Sequence, residues 1–273
     1  MTNPLAGRRI LITRPAHQSG GFRDLLQAHG AQVDCIPLLE IAPITDGESA
    51  QAIRNLVMDF DQFDHAIFVS QNAVQHAFDW LDDFWPQLPQ GPRYYGIGAA
   101  TARAIRARGA EPQSNGLEAE QGAMDSEALL ALPALQNPRG ERVIIFRGQG
   151  GRTLIGDTLK TRGARLDYCE LYQRLLPAAA TEQLRNYAHL PDAIVVHSGE
   201  TLDNLTAALA SSSRQLLLAC PLVCPSERVA ISAREQGFAR AQAATNAGDS
   251  AMLAALEHTL AGNSDASNVT RHS

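Results

Sequence analysis

Five short turns and one tyrosine carry most of the chemistry open to this chain. Ser70-Gln71-Asn72, Gly96-Ile97-Gly98-Ala99-Ala100-Thr101, Gly148-Gln149-Gly150-Gly151, Ser198-Gly199 and Pro225-Ser226 each stand where an apolar run gives way to an amphipathic stretch. Small and hydroxylated residues at such a junction leave the backbone N–H groups of a helix start free, and those groups bind anions. Any one of these turns is explained by the tightness of its bend. Several of them, in matching parts of the chain, favour an anion-binding cleft. Tyr172, in DYCELYQRLLP, is core or hinge packing on position alone. A phenol is also a neutral donor at pH 7, fit to protonate a leaving oxygen.

Other chemistries find little support. There is no HExxH, no GxSxG and no Walker A lysine, and no two histidines stand three or four residues apart. His197 beside Ser198 reads as an incidental neighbour rather than a nucleophile pair. Lys160 is the sole lysine and sits late in a helical pattern, so Schiff-base and pyridoxal chemistry are not expected. Gly96-x-Gly98-x-x-Thr101 is a weak dinucleotide signal, and no acidic residue closes a second strand some 20 residues on. Cys220 and Cys224 lie in an apolar stretch without metal-ligand spacing, so they read as buried thiols. No metal and no cofactor are expected.

The elements that must position these turns are written twice. Ile10–Pro43 and Ile144–Pro177 align with Arg14 on Arg147 and Gly30 on Gly163, both at an offset of 133 (147 − 14 and 163 − 30). Each copy is an apolar run, a turn, an amphipathic helix stopped by glycine and a second apolar run closed by proline. Ser70 matches Ser198 and Gly109 matches Gly237 at an offset of 128 (198 − 70 and 237 − 109). Strands are expected at 10–13, 32–36, 65–69, 93–97, 142–146, 166–173, 193–197 and 222–224. Helices are expected between them, including 20–29, 127–132 capped by Ser126, and 251–260 capped by Asp249 or Ser250. Residues 116–121 read as a loop. Apolar strands alternating with helices specify parallel sheets covered on both faces, hence an α/β protein of two flavodoxin-like or Rossmann-like domains.

Length and composition agree. A chain of 273 residues, 45% hydrophobic, suits two domains. No run of about 18 apolar residues spans a membrane, and MTNPLAGRRILITRP lacks the plan of an export signal. Four cysteines without a CxxC pair fit a reducing cytoplasm. A net charge of −6 argues against nucleic acid. It leaves an anionic ligand open, since screening over about 8 Å lets local arginines govern their own cleft.

Read together, LITRP (11–15), GAQVDCIPLLEIAP, FVSQNAV (68–74), YGIGAATARAIRARG, SEALLALP (126–133), FRGQGGRTLIGDTLKTRGARLDYCELYQR and PSERVAISAREQG resemble the uroporphyrinogen-III synthase family. The likeness covers nearly all of the chain except the tail, and is weakest at Thr245–Ser250. It implies one domain from residues 1–38 plus 177–262, a second from 42–172, and linker strands at 38–43 and 172–177. Residues 263–273 are expected to be a disordered tail. It also implies the reaction: hydroxymethylbilane, a linear tetrapyrrole with eight carboxylates, loses its ring A hydroxyl and closes through azafulvene and spiro intermediates with ring D inverted. No cofactor is called for, because the pyrrole supplies the electron push. By the same resemblance Tyr172 assists departure of the hydroxyl. Thr13, Arg14, Ser70, Gly98, Thr101, Arg147, Gly148, Ser198 and Ser226 line the cleft. Arg14, Arg147 and Arg152 are then the side chains expected to meet carboxylates, since a guanidinium fork meets a carboxylate bidentately; the competing reading of each is a structural pair with an Asp or Glu of its own domain. A transient contact with the upstream bilane-forming deaminase is a further expectation, and nothing in the sequence demands more than a monomer. The leading alternative is a non-catalytic clamshell module for a small anion; a nucleotide-dependent oxidoreductase stands behind it.

Overall fold

The structure is a computed structural model and describes residues 3–113 and 125–269. The chain opens with β1 (Arg9–Ile12), α1 (Ala16–Ala28), β2 (Gln32–Cys35) and β3 (Glu40–Pro43). Next come α2 (Gly47–Met58), β4 (His65–Phe68), α3 (Gln71–Phe84), β5 (Arg93–Gly96) and α4 (Ala99–Ala107). The middle holds α5 (Ser126–Leu130), α6 (Pro133–Gln136), β6 (Arg142–Gly148), α7 (Leu154–Thr161) and β7 (Arg165–Leu175). The remainder is α8 (Ala180–Asn186), β8 (Ala193–Val195), α9 (Gly199–Ser212), β9 (Leu222–Cys224), α10 (Glu227–Glu235), β10 (Ala241–Ala243) and α11 (Asp249–Val269).

The chain divides into two compact units. Unit 1 is Met1–Glu40 with Leu175–Ser273, and unit 2 is Ile41–Arg174. Each is built on one five-stranded sheet, in the order β10-β9-β8-β1-β2 for unit 1 and β3-β7-β6-β4-β5 for unit 2. The sequence repeat survives as register. β1 pairs β2 in parallel with Ile10 opposite Val33, and β6 pairs β7 with Val143 opposite Leu166, each partner displaced by 133 (143 − 10 and 166 − 33). β8 pairs β9 with Ile194 opposite Leu222, and β4 pairs β5 with Ala66 opposite Tyr94, each displaced by 128 (194 − 66 and 222 − 94).

Parallel strands buried on both faces explain the near-continuous apolar runs. Successive side chains point to opposite faces. In unit 1, Ile10 and Ile12 therefore meet Phe22 and Met252 on one side, while Leu11 meets Leu202 and Leu205 on the other. In unit 2, Ala66, Phe68, Ile144 and Phe146 share one core with Phe60 and Phe78, and Ile67, Val143 and Ile145 share the second with Leu129 and Leu159. The helix stops at Gly30 (φ +80°) and Gly163 (φ +90°) fall at matching positions of the two copies, in a backbone region that side chains disfavour.

Several elements depart from the sequence expectation. Helix α1 starts at Ala16, a turn before the expected Gly20, because Ser19 and Phe22 are both buried against the sheet and carry the helix through the glycines. The cap of α5 is Asp125, whose carboxylate accepts from the Ala128 N–H (2.8 Å), and not Ser126, which is the first helical residue. Pro133, just past the helix expected at 127–132, opens a further single turn, α6, as its fixed φ allows at a first helical position. Helix α8 and strand β10 are additions to the expected elements. Helix α11 runs on to Val269, through part of the expected tail, and no proline follows Pro225 to stop it. The rest of that tail and the expected loop at 116–121 lie outside the described residues. Among the described residues no helix is long and apolar enough to cross a membrane. All four cysteines are free, and burial pushes the Cys224 thiol up to about 12.

Candidate functional site

In a parallel sheet every strand delivers its following turn to the same edge, the edge where ligands of open α/β sheets sit. In unit 1 the turns after β1, β8 and β9 bring Thr13, Arg14, Ser198 and Ser226 to that edge. Thr13 is fully buried. Its hydroxyl donates to the Val195 carbonyl (2.8 Å), and its own carbonyl accepts from Leu38 N–H (3.0 Å). Its side chain is thereby committed to β8 and its carbonyl to the departing chain. Ser198 caps α9: its Oγ accepts from Thr201 N–H (3.1 Å) and lies 2.8 Å from the Thr201 Oγ1. Ser226 holds the same place before α10, but its hydroxyl makes no cap bond.

Arg14 donates to the Asp249 Oδ1 at 2.8 Å, where the two side chains are 24% and 39% exposed. Asp249 is the first residue of α11. Beside this pair sits His197, edge-on to Phe22 with ring centroids 5.2 Å apart. Neither His197 ring nitrogen has a hydrogen-bond partner among the described residues, and both are sealed from solvent. Burial foremost, then the Arg14 charge, push its pKa down to about 4, with Asp249 acting the other way. The imidazole is therefore neutral at pH 7.

In unit 2 the turns after β4, β5 and β6 bring Ser70, Gly98, Thr101, Gly148 and the 148–152 loop to the corresponding edge, with Tyr172 on β7 beside them. Ser70 caps α3 by accepting from Ala73 N–H (3.1 Å), and its Oγ is 3.1 Å from the Tyr172 hydroxyl. Tyr172 is fully buried. Its ring lies against Gly148 so closely that a Cβ there would come within 2.4 Å of Cε2, so glycine is required by the approach. His76 and Arg174 flank the same ring at 5.5 and 5.6 Å. Gly98 takes the cap position of α4, and Thr101 is buried one turn in. Gly96 ends β5 against the Ala102 backbone, with a Cβ there meeting it at 3.0 Å. Close helix packing thus explains the first glycine of Gly96-x-Gly98.

Arg147 takes the structural alternative read for it, beside an acidic residue of its own unit. Its guanidinium is turned inward and only 4% of the residue is exposed. It donates to the carbonyls of Gly148 (3.2 Å) and Arg152 (3.3 Å), faces Glu170 at 3.7 Å and lies 4.7 Å over the Tyr168 ring. It shapes the 148–152 loop from within rather than offering a free fork to a ligand. Arg152, by contrast, is exposed on that loop. Among the described residues no cluster of three or more His, Cys, Asp or Glu could hold a metal ion.

A family profile described as uroporphyrinogen-III synthase HemD matches residues 21–254. The chain is 36% identical to the uroporphyrinogen-III synthase of Escherichia coli K12 over 91% of its own length and 99% of that protein's. It belongs to the uroporphyrinogen-III synthase family. The same identity and coverage hold against the enzyme of that name from Salmonella typhimurium LT2. Solved uroporphyrinogen III synthases from Thermus thermophilus (TM-score 0.58, 17% identity, covering 94% of this chain and 100% of that one) and Helicobacter pylori 26695 (0.57, 16%, covering 90% and 97%) share the fold.

Within this member of the uroporphyrinogen-III synthase family, sequence reasoning misses three participants. It marks Asp249 only as a helix cap, His197 only as a neighbour of Ser198, and Glu170 not at all. A signal exists for the first alone: an acidic residue opening a helix whose preceding strand ends on the ligand edge.

Proposed function

We propose that this chain cyclises hydroxymethylbilane to uroporphyrinogen III, acting as a cofactor-independent lyase. The observation that carries the reading is the 36% identity to a uroporphyrinogen-III synthase over 91% of the chain. The site residues support it. Two sheet edges carry helix-start N–H groups and exposed or half-exposed arginines, the chemistry an octacarboxylate requires. The electron-rich pyrrole expels the ring A hydroxyl as water, with the proton drawn from the Tyr172 hydroxyl relayed by Ser70. The azafulvenium cation so formed is attacked by the substituted carbon of ring D, and the spiro intermediate reopens and recloses with that ring inverted; the proton then lost from the newly bonded ring D carbon restores the phenol, so that water is the only other product. The protein's main contribution is to hold the chain so that this carbon reaches the cation first.

In this reading Thr13, Gly98, Thr101, Gly148, Ser198 and Ser226 shape the edges and offer backbone donors, while Arg14 and Arg152 meet carboxylates. Arg147 serves by fixing the loop. The protein works as a monomer in the cytoplasm, consistent with four free thiols, and meets the bilane-forming deaminase only in passing. The test is incubation with freshly generated hydroxymethylbilane, oxidation of the product and chromatographic separation of the I and III isomers. Predominant isomer III is expected; isomer I alone, at the uncatalysed rate, would return the chain to the anion-binding class.

A further inference from the structure

The ion pair between Arg14 and Asp249 occupies the one arginine that unit 1 brings to its ligand edge after β1, and the histidine beside it is left without a partner. A neutral imidazole always carries one N–H donor, and a buried donor left unmade is costly, so such groups are kept where a partner arrives. No partner stands among the described residues, where neither His197 nitrogen is bonded. The half-exposed Arg14–Asp249 contact is of the kind that contributes little to stability. Asp249 is held by little else. It is the first residue of α11, where a carboxylate is favoured by its own helix terminus, and its other oxygen, Oδ2, lies beside Gly21, whose missing side chain leaves that oxygen uncrowded.

We propose that Arg14 and His197 together form a carboxylate subsite, and that Asp249 holds it closed as an internal stand-in until a carboxylate of the substrate displaces it. The arriving carboxylate accepts from the Arg14 guanidinium on one oxygen and from the His197 N–H on the other. Both donors then act on one group, and the imidazole gains the bond it lacks. Burial keeps the ring neutral while the subsite is closed, so it serves as donor without adding a competing charge. Asp249 thereby acts as a specificity element. A ligand must bring an anion able to replace a carboxylate, and ligands with neutral side chains leave the gate shut. The assignment rests on the octacarboxylate substrate proposed above.

The experiment compares wild type with Asp249→Asn, which keeps a side chain of the same size at the helix start, with His197→Gln, and with Glu257→Gln, an equal charge change on the same helix whose glutamate pairs with His29. Steady-state kinetics on hydroxymethylbilane should show KM lowered about 2- to 5-fold in Asp249→Asn, raised about 2- to 10-fold in His197→Gln and unmoved in Glu257→Gln. The changes should fall on KM rather than kcat. In parallel, the ¹⁵N ring signals of His197, assigned by their loss in His197→Gln, should shift on adding uroporphyrinogen III under anaerobic conditions. In Asp249→Asn they should shift at lower concentration. An unchanged or raised KM in Asp249→Asn with isomer III still formed overturns the gate alone, as does an equal fall in Glu257→Gln or a His197 ring that ignores the product. Absence of isomer III from wild type as well overturns the functional reading, and the gate with it.

Discussion

The Tyr172 hydroxyl reaches no solvent, and its bond is to a serine already engaged in capping a helix. A donor held in that way is positioned before the substrate arrives, at the cost of direct contact with water. Tyr172→Phe should lower kcat by no more than about 10²-fold, because the pyrrole pushes the hydroxyl out unaided, and isomer III should remain the main product. A larger loss, or a swing to isomer I, would show that the phenol controls folding of the substrate rather than departure of its hydroxyl. His197 gives a second test. Its folded pKa of about 4 lies below the ordinary 6.5, so between those values the unfolded chain binds a proton that the folded one does not. Stability is then fully present above about pH 6.5 and declines as pH falls toward 4. Thermal unfolding from pH 7.5 to 5 should show a steeper acid loss for wild type than for His197→Gln, and parallel curves would refute a buried neutral ring. Neither residue's situation was legible in the sequence. A tyrosine near a strand end and a histidine before a serine are common, and burial or a missing partner depends on residues more than a hundred positions away.

The strands and most helices were legible because their signals are local: apolar runs buried on both faces, a small or hydroxylated residue at the start of a helix, and a glycine at its end. Ser70 and Ser198 illustrate this, each marking a turn in the sequence and each found capping a helix, at α3 and α9. The elements missed have no such signal. Strand β10 is Ala-Gln-Ala and becomes a strand only by pairing with β9. Helix α8 has seven residues, too few to hold by itself, and buries Ala180 and Leu184 in the core that Leu202 and Leu205 of α9 share. The two serines also allow capping to be separated from ligand binding. Ser198→Ala should cost about 1 kcal/mol of stability through lost capping, while Ser198→Asp should retain that stability. If the α9 start receives a substrate carboxylate, Ser198→Asp should nonetheless raise KM by placing a second anion there. Equal KM values for Ser198→Asp and wild type, with unfolding temperatures matched, would mean that α9 has a cap and no ligand.

At the scale of the molecule, the repeat and the units do not coincide. The sequence runs as a β1–β2 segment, a β4–β5 segment, then a second copy of each, in β6–β7 and β8–β9. The sheets join the outer pair of segments and the inner pair, not each copy with itself. A fragment of residues 41–174 should therefore unfold cooperatively, because it holds one whole sheet and both of its cores. A fragment of residues 1–133, one full copy of the repeat, should not, because β1 lacks β8 and β4 lacks β6. Circular dichroism melts of the two fragments decide this, and a cooperative melt of 1–133 would mean that the copies can also pair within themselves. The same connectivity sets a clock during synthesis. Ile10 pairs with Ala193, 183 residues later (193 − 10), which at about 5–20 residues per second is a wait of roughly 10–40 s. Throughout that interval unit 2 can be completed while Ile10, Leu11 and Ile12, all destined for full burial, have α1 and β2 beside them but still lack β8. The strand made first thus waits for its second neighbour through most of translation, and the soluble yield should follow elongation rate and chaperone supply more closely than the stability of the finished protein.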